Sequence, residues 1–376
     1  MNLLRFVTVF VFYAFVTIPI QGVDAKSGDD AYTESLAAWK DKIVALQQIR
    51  NQLAVAAGEE VAPLRARYLG AIRDGNDALI KFTAAAEAEL VDNGERKTEA
   101  ANFLKVRLIG LEAVDDFERM ARIGQLLMKN GYQERPILVA TGVAAYMTNQ
   151  FEVAKDCLER ANEKESLIRR NRELLNAIPV REAAWNEERR IREAEQIADD
   201  LPRVKLSTSQ GDIELELFEN DAPETVANFI HLIDQGFYDG LDFHRVIPHH
   251  VVQGGCPQGD GTGGPGYTIR SECLEGDPRR HFRGSLSMAR SAEPHSGGSQ
   301  FFLCLTPTSH LDGKHTVFGR VTDGMDVLAK LQRRDPSKKM DPSIEADKIL
   351  KAQVERRRDH EYRPTPYVPA EAPAST

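Results

Sequence analysis

The chain has 376 residues, enough for two ordinary domains, and its 42% hydrophobic and 28% charged residues are those of a globular protein. Its formal net charge of −9 at pH 7 argues against a nucleic-acid partner, because phosphate contacts need clustered Lys and Arg.

At the N-terminus, Arg5 ends a short positive region and Phe6 to Ile20 is an uncharged apolar run. Val23-Asp24-Ala25 offers small residues at the spacing of a signal-peptidase site. Residues 1–25 therefore read as a secretory signal, and the protein is expected to be exported, periplasmic or extracellular. The alternative is an uncleaved anchor, the one route to a membrane; the run is short for a spanning helix of about 20 residues.

Residues 26–200 are expected to form an all-α domain, because Ala, Leu, Glu, Arg and Gln dominate and Gly and Pro are few. Tyr32–Ala57 and Val61–Leu90 read as two long antiparallel helices broken at Gly58. Asp92-Asn93-Gly94 marks a turn, and Thr98–Lys129 carries helical periodicity up to Asn130-Gly131. In "TGVAAYMTNQFEVAKDCLERA", Gly142, Ala145, Tyr146, Phe151, Ala154, Leu158 and Ala161 resemble the packing positions of one tetratricopeptide unit, over about 115–165. A generic helical hairpin explains the same residues, and no second copy is evident. Glu163–Asp200, rich in Glu and Arg around Pro179, reads as one or two charged helices with a solvated face.

At Leu201-Pro202 the period changes from helical to alternating. "VKLSTSQGDIELELF" predicts a β-hairpin turning at Ser209-Gln210-Gly211. Asp221 is the expected N-cap of a helix with Val226, Phe229, Ile230 and Ile233 on one stripe, ended by Gly236. Short strands and Gly-rich loops follow, and residues 358–376 form a Pro- and Ala-rich tail, expected to be disordered beyond Pro364. Of the four cysteines, Cys256 and Cys273 flank one loop and could pair, whereas Cys304 lies in an apolar strand and is expected to be a buried thiol. His249-His250 would face opposite sides of a strand, and no His–carboxylate cluster has ligand spacing, so no metal and no cofactor are expected.

"FHRVIPHHVVQGG" holds a single Arg among apolar residues and offers no nucleophile or carboxylate base. With "GTGG", "GSLSMAR", "GSQFFLCL" and "LDGKHTVFGRV" following in order, Arg203 to about Arg357 closely resembles the cyclophilins, the prolyl cis–trans isomerase family. The resemblance implies a closed eight-stranded antiparallel β-barrel capped by two helices, over 201–357, and a multidomain chain overall. It implies that Arg245, Gln253, Phe302 and His315 are catalytic. It implies that His250, Val251, Gly261, Ala289, Arg290, Gln300, His310 and Leu311 line the substrate groove. Proline-containing polypeptides folding outside the cytoplasm are the expected partners, with the helical domain recruiting clients or a partner protein. The alternative is a module that binds proline segments and isomerises them poorly.

Three positions depart from the family pattern. His250 stands where a Phe usually forms the pocket base, Val251 replaces the usual Met, and His310 replaces the Trp that contacts cyclosporin in many eukaryotic members. The changes imply weakened isomerisation, falling further in mild acid, and poor cyclosporin binding.

Overall fold

A computed structural model describes residues 31–92, 95–338 and 345–368. The expected signal segment, Asn93-Gly94 of the expected turn and the end of the tail lie outside the described residues. The described residues form two compact units, one from those up to 110 together with 119–141 and one from 111–118 together with those from 142 on. The expected boundary at residue 200 thus falls inside the second unit.

In the first unit, α1 (Ala31–Val55) and α2 (Val61–Val91) are the two predicted long helices, parted at Gly58, whose φ of +59° suits glycine. Helical spacing puts Trp39 and Ile43 on one face of α1, and Ala78, Phe82 and Ala86 on one face of α2. Trp39 stacks on Phe82 at 5.5 Å, and Phe82 meets Phe103 of α3 (Lys97–Glu112) at 4.3 Å. The periodicity expected over Thr98–Lys129 is interrupted, since α3 and α4 (Phe117–Lys129) are separate helices. The break is at Asp115, a residue type that tolerates its left-handed φ of 61°.

α5 (Arg135–Met147), of which residues 142–147 belong to the second unit, and α6 (Phe151–Lys164) form a helical hairpin. A Cβ at Gly142 would lie 2.8 Å from Leu158, so glycine permits the close approach, and Tyr146 meets Phe151 edge-on at 5.5 Å. The charged stretch is one helix, α7 (Arg169–Ala198), running through Pro179. Its expected solvated face is only part of the result. Glu188 and Arg181 are buried, because their charges meet opposite charges and carbonyls from residues 279–312. Arg279 donates twice to Glu188, both at 2.9 Å, twice to Glu195 at 2.6 and 3.5 Å, and once to Asp221 at 3.0 Å. Its guanidinium also lies 3.7 Å from the centre of the Phe218 ring.

The predicted hairpin is β1 (Arg203–Thr208) and β2 (Gly211–Leu217). Then come α8 (Pro223–Asp234), β3 (Arg245–Val246), β4 (Val251–Gly254), β5 (Ser285–Met288), β6 (Phe301–Cys304), β7 (Val317–Asp323), α9 (Met325–Lys330) and β8 (Ile349–Arg356). The strands form one curled antiparallel sheet in the order β3-β4-β6-β5-β7-β2-β1-β8. Its end strands, β3 and β8, are not paired with each other, so the sheet is open rather than the expected closed barrel. The predicted stripe of α8 is buried in the core, with Phe229 against Tyr238, Phe301 and Phe318.

Asp221 does not cap α8 as expected, because it is engaged by Arg279. The carboxylate of Glu272 takes that place, accepting the backbone N–H groups of Glu224 and Thr225, both at 2.9 Å. The described tail also departs from expectation. Beyond Pro364, Tyr367 donates its backbone N–H to Thr268 at 2.8 Å and packs its ring 4.4 Å from His295. Cys256 and Cys273 are free thiols, as are Cys157 and Cys304. No helix of the described residues is long and apolar enough to cross a membrane.

Burial alone would raise the Glu188 carboxyl, yet Arg192 and Arg279 hold it below the ordinary carboxylate value. Its contribution to stability is therefore present above the unfolded pKa of about 4.3 and is lost as pH falls through the lower folded value. Glu188→Ala is expected to cost about 3 kcal/mol at neutral pH, since it leaves a buried guanidinium short of its partner. The gap from wild type should shrink below about pH 4. Urea unfolding at several pH values checks this, and unchanged midpoints at neutral pH would contradict it.

Candidate active site

The site is built across three adjacent strands. Residues directly opposite in an antiparallel ladder share a sheet face. Arg245 of β3 pairs with Gln253 of β4, which pairs with Phe302 of β6, which pairs with Ser287 of β5. The next residues over, Val246, Val252, Leu303 and Leu286, face the other way and belong to the main core. Alternation along β4 thus puts Val251 and Gln253 on the site face and Val252 in the interior.

A second, smaller apolar cluster lies on the site face. Val251, Phe302 and Cys304 are buried together, with Ala289 and Leu311 packed against them. His315 meets Phe302 edge-on at 5.3 Å, and its Nδ1 is 3.0 Å from the Met288 carbonyl oxygen. A carbonyl only accepts, so Nδ1 carries the proton and Nε2 is left as an acceptor. Burial holds the His315 pKa below the ordinary histidine value.

Polar groups form a relay along the rim. Gln253 Oε1 lies 3.5 Å from Arg245 Nη1, at the outer limit of a hydrogen bond. Its Nε2 donates to Gln300 Oε1 at 3.0 Å, and Gln300 Nε2 donates to the carbonyls of Gly261 and Gly263, each at 2.8 Å. The Cys256 Sγ holds the same loop by accepting the N–H groups of Gly261 and Gly263 at 3.2 and 3.3 Å. Arg245 is half-buried and makes no ion pair among the described residues, so most of its five N–H donors are available to a ligand.

Most of the residues expected from sequence are brought together here. Arg290 serves differently: its guanidinium donates to the carbonyl of Lys314 at 2.7 Å and to that of Ser291 at 3.0 Å, bracing the loops beside His315. His250 and His310 are neighbours, their Nε2 atoms 3.4 Å apart. Burial, then the charge of Arg245, then His310 lower the His250 pKa.

Sequence reasoning missed two supports. His281 is fully buried and stacks on Phe302 with ring centroids 5.8 Å apart; its ring nitrogens lie 2.9 Å from Asp312 Oδ1 and 3.0 Å from Ser287 Oγ. Arg181 of α7 reaches the same group, with Nη1 3.5 Å from Asp312 Oδ2 and Nη2 3.3 Å from the His281 carbonyl. The other support is Asp115, fully buried in the break between α3 and α4. It accepts the backbone N–H of His249 at 2.9 Å and a donor of Arg333 at 2.7 Å. His249 is thereby held at a φ of 57°, which sets the turn carrying His250. Asp-Asp in a helical run was the available signal, and it read as helix.

The site therefore offers a fixed cation beside an apolar cup with an aromatic floor. The family described as cyclophilin type peptidyl-prolyl cis-trans isomerase/CLD matches residues 203–354. A peptidyl-prolyl cis-trans isomerase of Helicobacter pylori (strain ATCC 700392 / 26695) is 53% identical over 132 residues, 35% of this chain and 80% of that protein. The chain belongs to the cyclophilin-type prolyl isomerases. Peptidyl-prolyl cis-trans isomerase B of Bacillus subtilis (strain 168) is 55% identical over 128 residues, 34% of this chain and 88% of that protein. A solved cyclophilin type isomerase of Cryptosporidium parvum is 29% identical, covers 42% of this chain and 99% of its own, and has a TM-score of 0.38. As a cyclophilin, the chain is a peptidyl-prolyl cis–trans isomerase.

In this cyclophilin the lowered His250 pKa keeps that ring neutral at and above its ordinary value of about 6.5. Protonation then begins only at lower pH, where it places a second cation beside Arg245. The expected kcat/KM for a proline peptide is level from about pH 8 to about 6.5 and declines below that. His250→Phe should remove the acid decline. A profile that declines equally in both proteins would assign the titration to another group.

Proposed function

We propose that Arg245, Gln253, Phe302, Leu311 and His315 carry the isomerisation. The observation that carries this reading is the single cross-strand row Arg245–Gln253–Phe302. Isomerisation of an X–Pro bond breaks no bond. Its barrier is amide resonance, about 18–20 kcal/mol. As the amide twists, the prolyl nitrogen becomes pyramidal and regains its lone pair. A guanidinium donating to that nitrogen stabilises the twisted state and not the planar ones, which is differential binding of the transition state. Phe302, Leu311 and His315 hold the pyrrolidine ring, while Gln253 and Gln300 present an amide rim to the flanking substrate backbone. No nucleophile is needed.

The client is a proline-containing polypeptide, and the setting proposed for it is outside the cytoplasm, on the strength of residues 1–25. The α5–α6 hairpin supports a tetratricopeptide-like reading, and the N-terminal helices are proposed to bind clients or a partner protein. The bridge between Asp242 and Lys348, which flank the two end strands, favours a sheet that closes into a barrel, with α8 and α9 as its caps. A second reading is a proline-binding module with weak turnover. His250 favours it, because a polar ring replaces an apolar one beside the cup.

Arg245→Ala is expected to lower kcat/KM on a proline peptide by about 10²–10³-fold, the usual cost of removing one transition-state donor. Arg245→Lys should recover only part of it, since a point charge lacks the planar fork. Equal activity in wild type and Arg245→Ala would overturn the assignment, and negligible activity in both with retained peptide binding would support the binding module.

A further inference from the structure

His249 and His250 are adjacent in sequence but meet different partners. The backbone of His249 is held by Asp115, and its Nδ1 lies 2.9 Å from the same carboxylate. His250 instead meets His310, sixty residues further along the chain, on the 3-10 turn Ser309–Leu311. The two rings are nearly parallel, at 14°, with centroids 5.5 Å apart and Nε2 atoms 3.4 Å apart.

That spacing is long for a hydrogen bond. It is close to one edge of a metal tetrahedron. Two zinc–imidazole bonds of about 2.05 Å at a tetrahedral angle put the nitrogens about 3.3 Å apart, and rings aimed at a shared ion hold their centroids about 5 Å apart. The His250 backbone is fixed, donating its N–H to Ile247 at 3.2 Å and accepting that of Leu305 at 2.9 Å, and the turn carrying the exposed His310 is closed by Leu311 N–H to Thr308 at 2.9 Å. Ion binding has to order the His310 ring, so the affinity is modest.

We propose that His250 and His310 chelate an imidazole-preferring divalent ion, of the zinc, nickel or copper class, and that the bound ion closes the proline cup against substrate. Two imidazoles leave two tetrahedral positions for water, so the site is reversible and of modest affinity. His250 is neutral at neutral pH, as a ligand must be. Val251 and Leu311, the chain neighbours of the two histidines, belong to the cup, so an ion held between the rings sits at its edge and obstructs substrate. Magnesium and calcium, which prefer oxygen ligands, are excluded by the same chemistry. The inference rests on the cup being the substrate site, and its test reads metal binding separately from activity.

The full chain is titrated with Zn2+, with metal binding followed through the imidazole nitrogen NMR signals of His250 and His310 and activity through proline-peptide isomerisation. Both signals should shift together, kcat/KM should fall in parallel, and a chelator should restore it; Mg2+ should do neither. His310→Ala and His250→Phe should each weaken this binding by more than about tenfold, because even outer-shell partners typically contribute 10–100-fold. His231→Ala, on α8 away from the cup, should leave it unchanged. Shifts in the two imidazoles without loss of activity would keep the metal site and remove its regulatory role. Unshifted imidazoles, or equal zinc sensitivity in wild type and His310→Ala, would overturn the proposal.

Discussion

Ladder pairing sets a guanidinium and an aromatic ring in one row on one face of the sheet. The register of β3, β4 and β6 puts Arg245, Gln253 and Phe302 side by side on one face. A slip of one residue in any pair would send one of these side chains to the core face and bring Val246, Val252 or Leu303 into the site. The apolar interior therefore enforces the geometry of the chemistry. Burying Val252 and Leu303 on one side obliges Gln253 and Phe302 to lie on the other.

The supports behind the row come from distant parts of the chain. His281, Asp312 and Arg181 back Phe302 from one side, and Asp115 fixes the turn that carries His250 from another. Both supports use groups from segments that precede the sheet. Arg279, shared among Glu188, Glu195 and Asp221, fastens α7 in the same way. Burying Arg279 is tolerated because three carboxylates accept its donors. The helices closest to the sheet in sequence thus belong to the same compact unit as the isomerase fold, and the charged run of α7 is a joint as well as a solvated surface.

Local patterns were legible in the sequence. The break at Gly58, the hairpin at Ser209-Gln210 and the buried stripe of α8 each follow from a periodicity or a turn residue. The family was legible through its motif blocks, and the ladder puts Arg245, Gln253 and Phe302 from three of them in one row. What was not legible depends on partners far along the chain. Asp221 looked like an N-cap, but Glu272 outcompeted it once Arg279 was near. Asp115 looked helical, because nothing local announces Arg333 or the His249 backbone. Arg290 looked like a groove residue, while its guanidinium serves the loop carbonyls. For Asp221 and Asp115 a long-range charged contact overrode a local preference, and local reading has no access to such contacts.

The proposed catalysis requires a prolyl ring beside Arg245 and Phe302. The most direct measurement is the position of a bound Ala-Pro-containing peptide, from intermolecular NOEs or a crystal structure of the complex. The pyrrolidine ring is expected against Phe302, with an Arg245 N–H within hydrogen-bonding reach of the prolyl nitrogen, about 3 Å. A peptide bound with its proline elsewhere, or with Arg245 turned to a carboxylate of the protein, would contradict it.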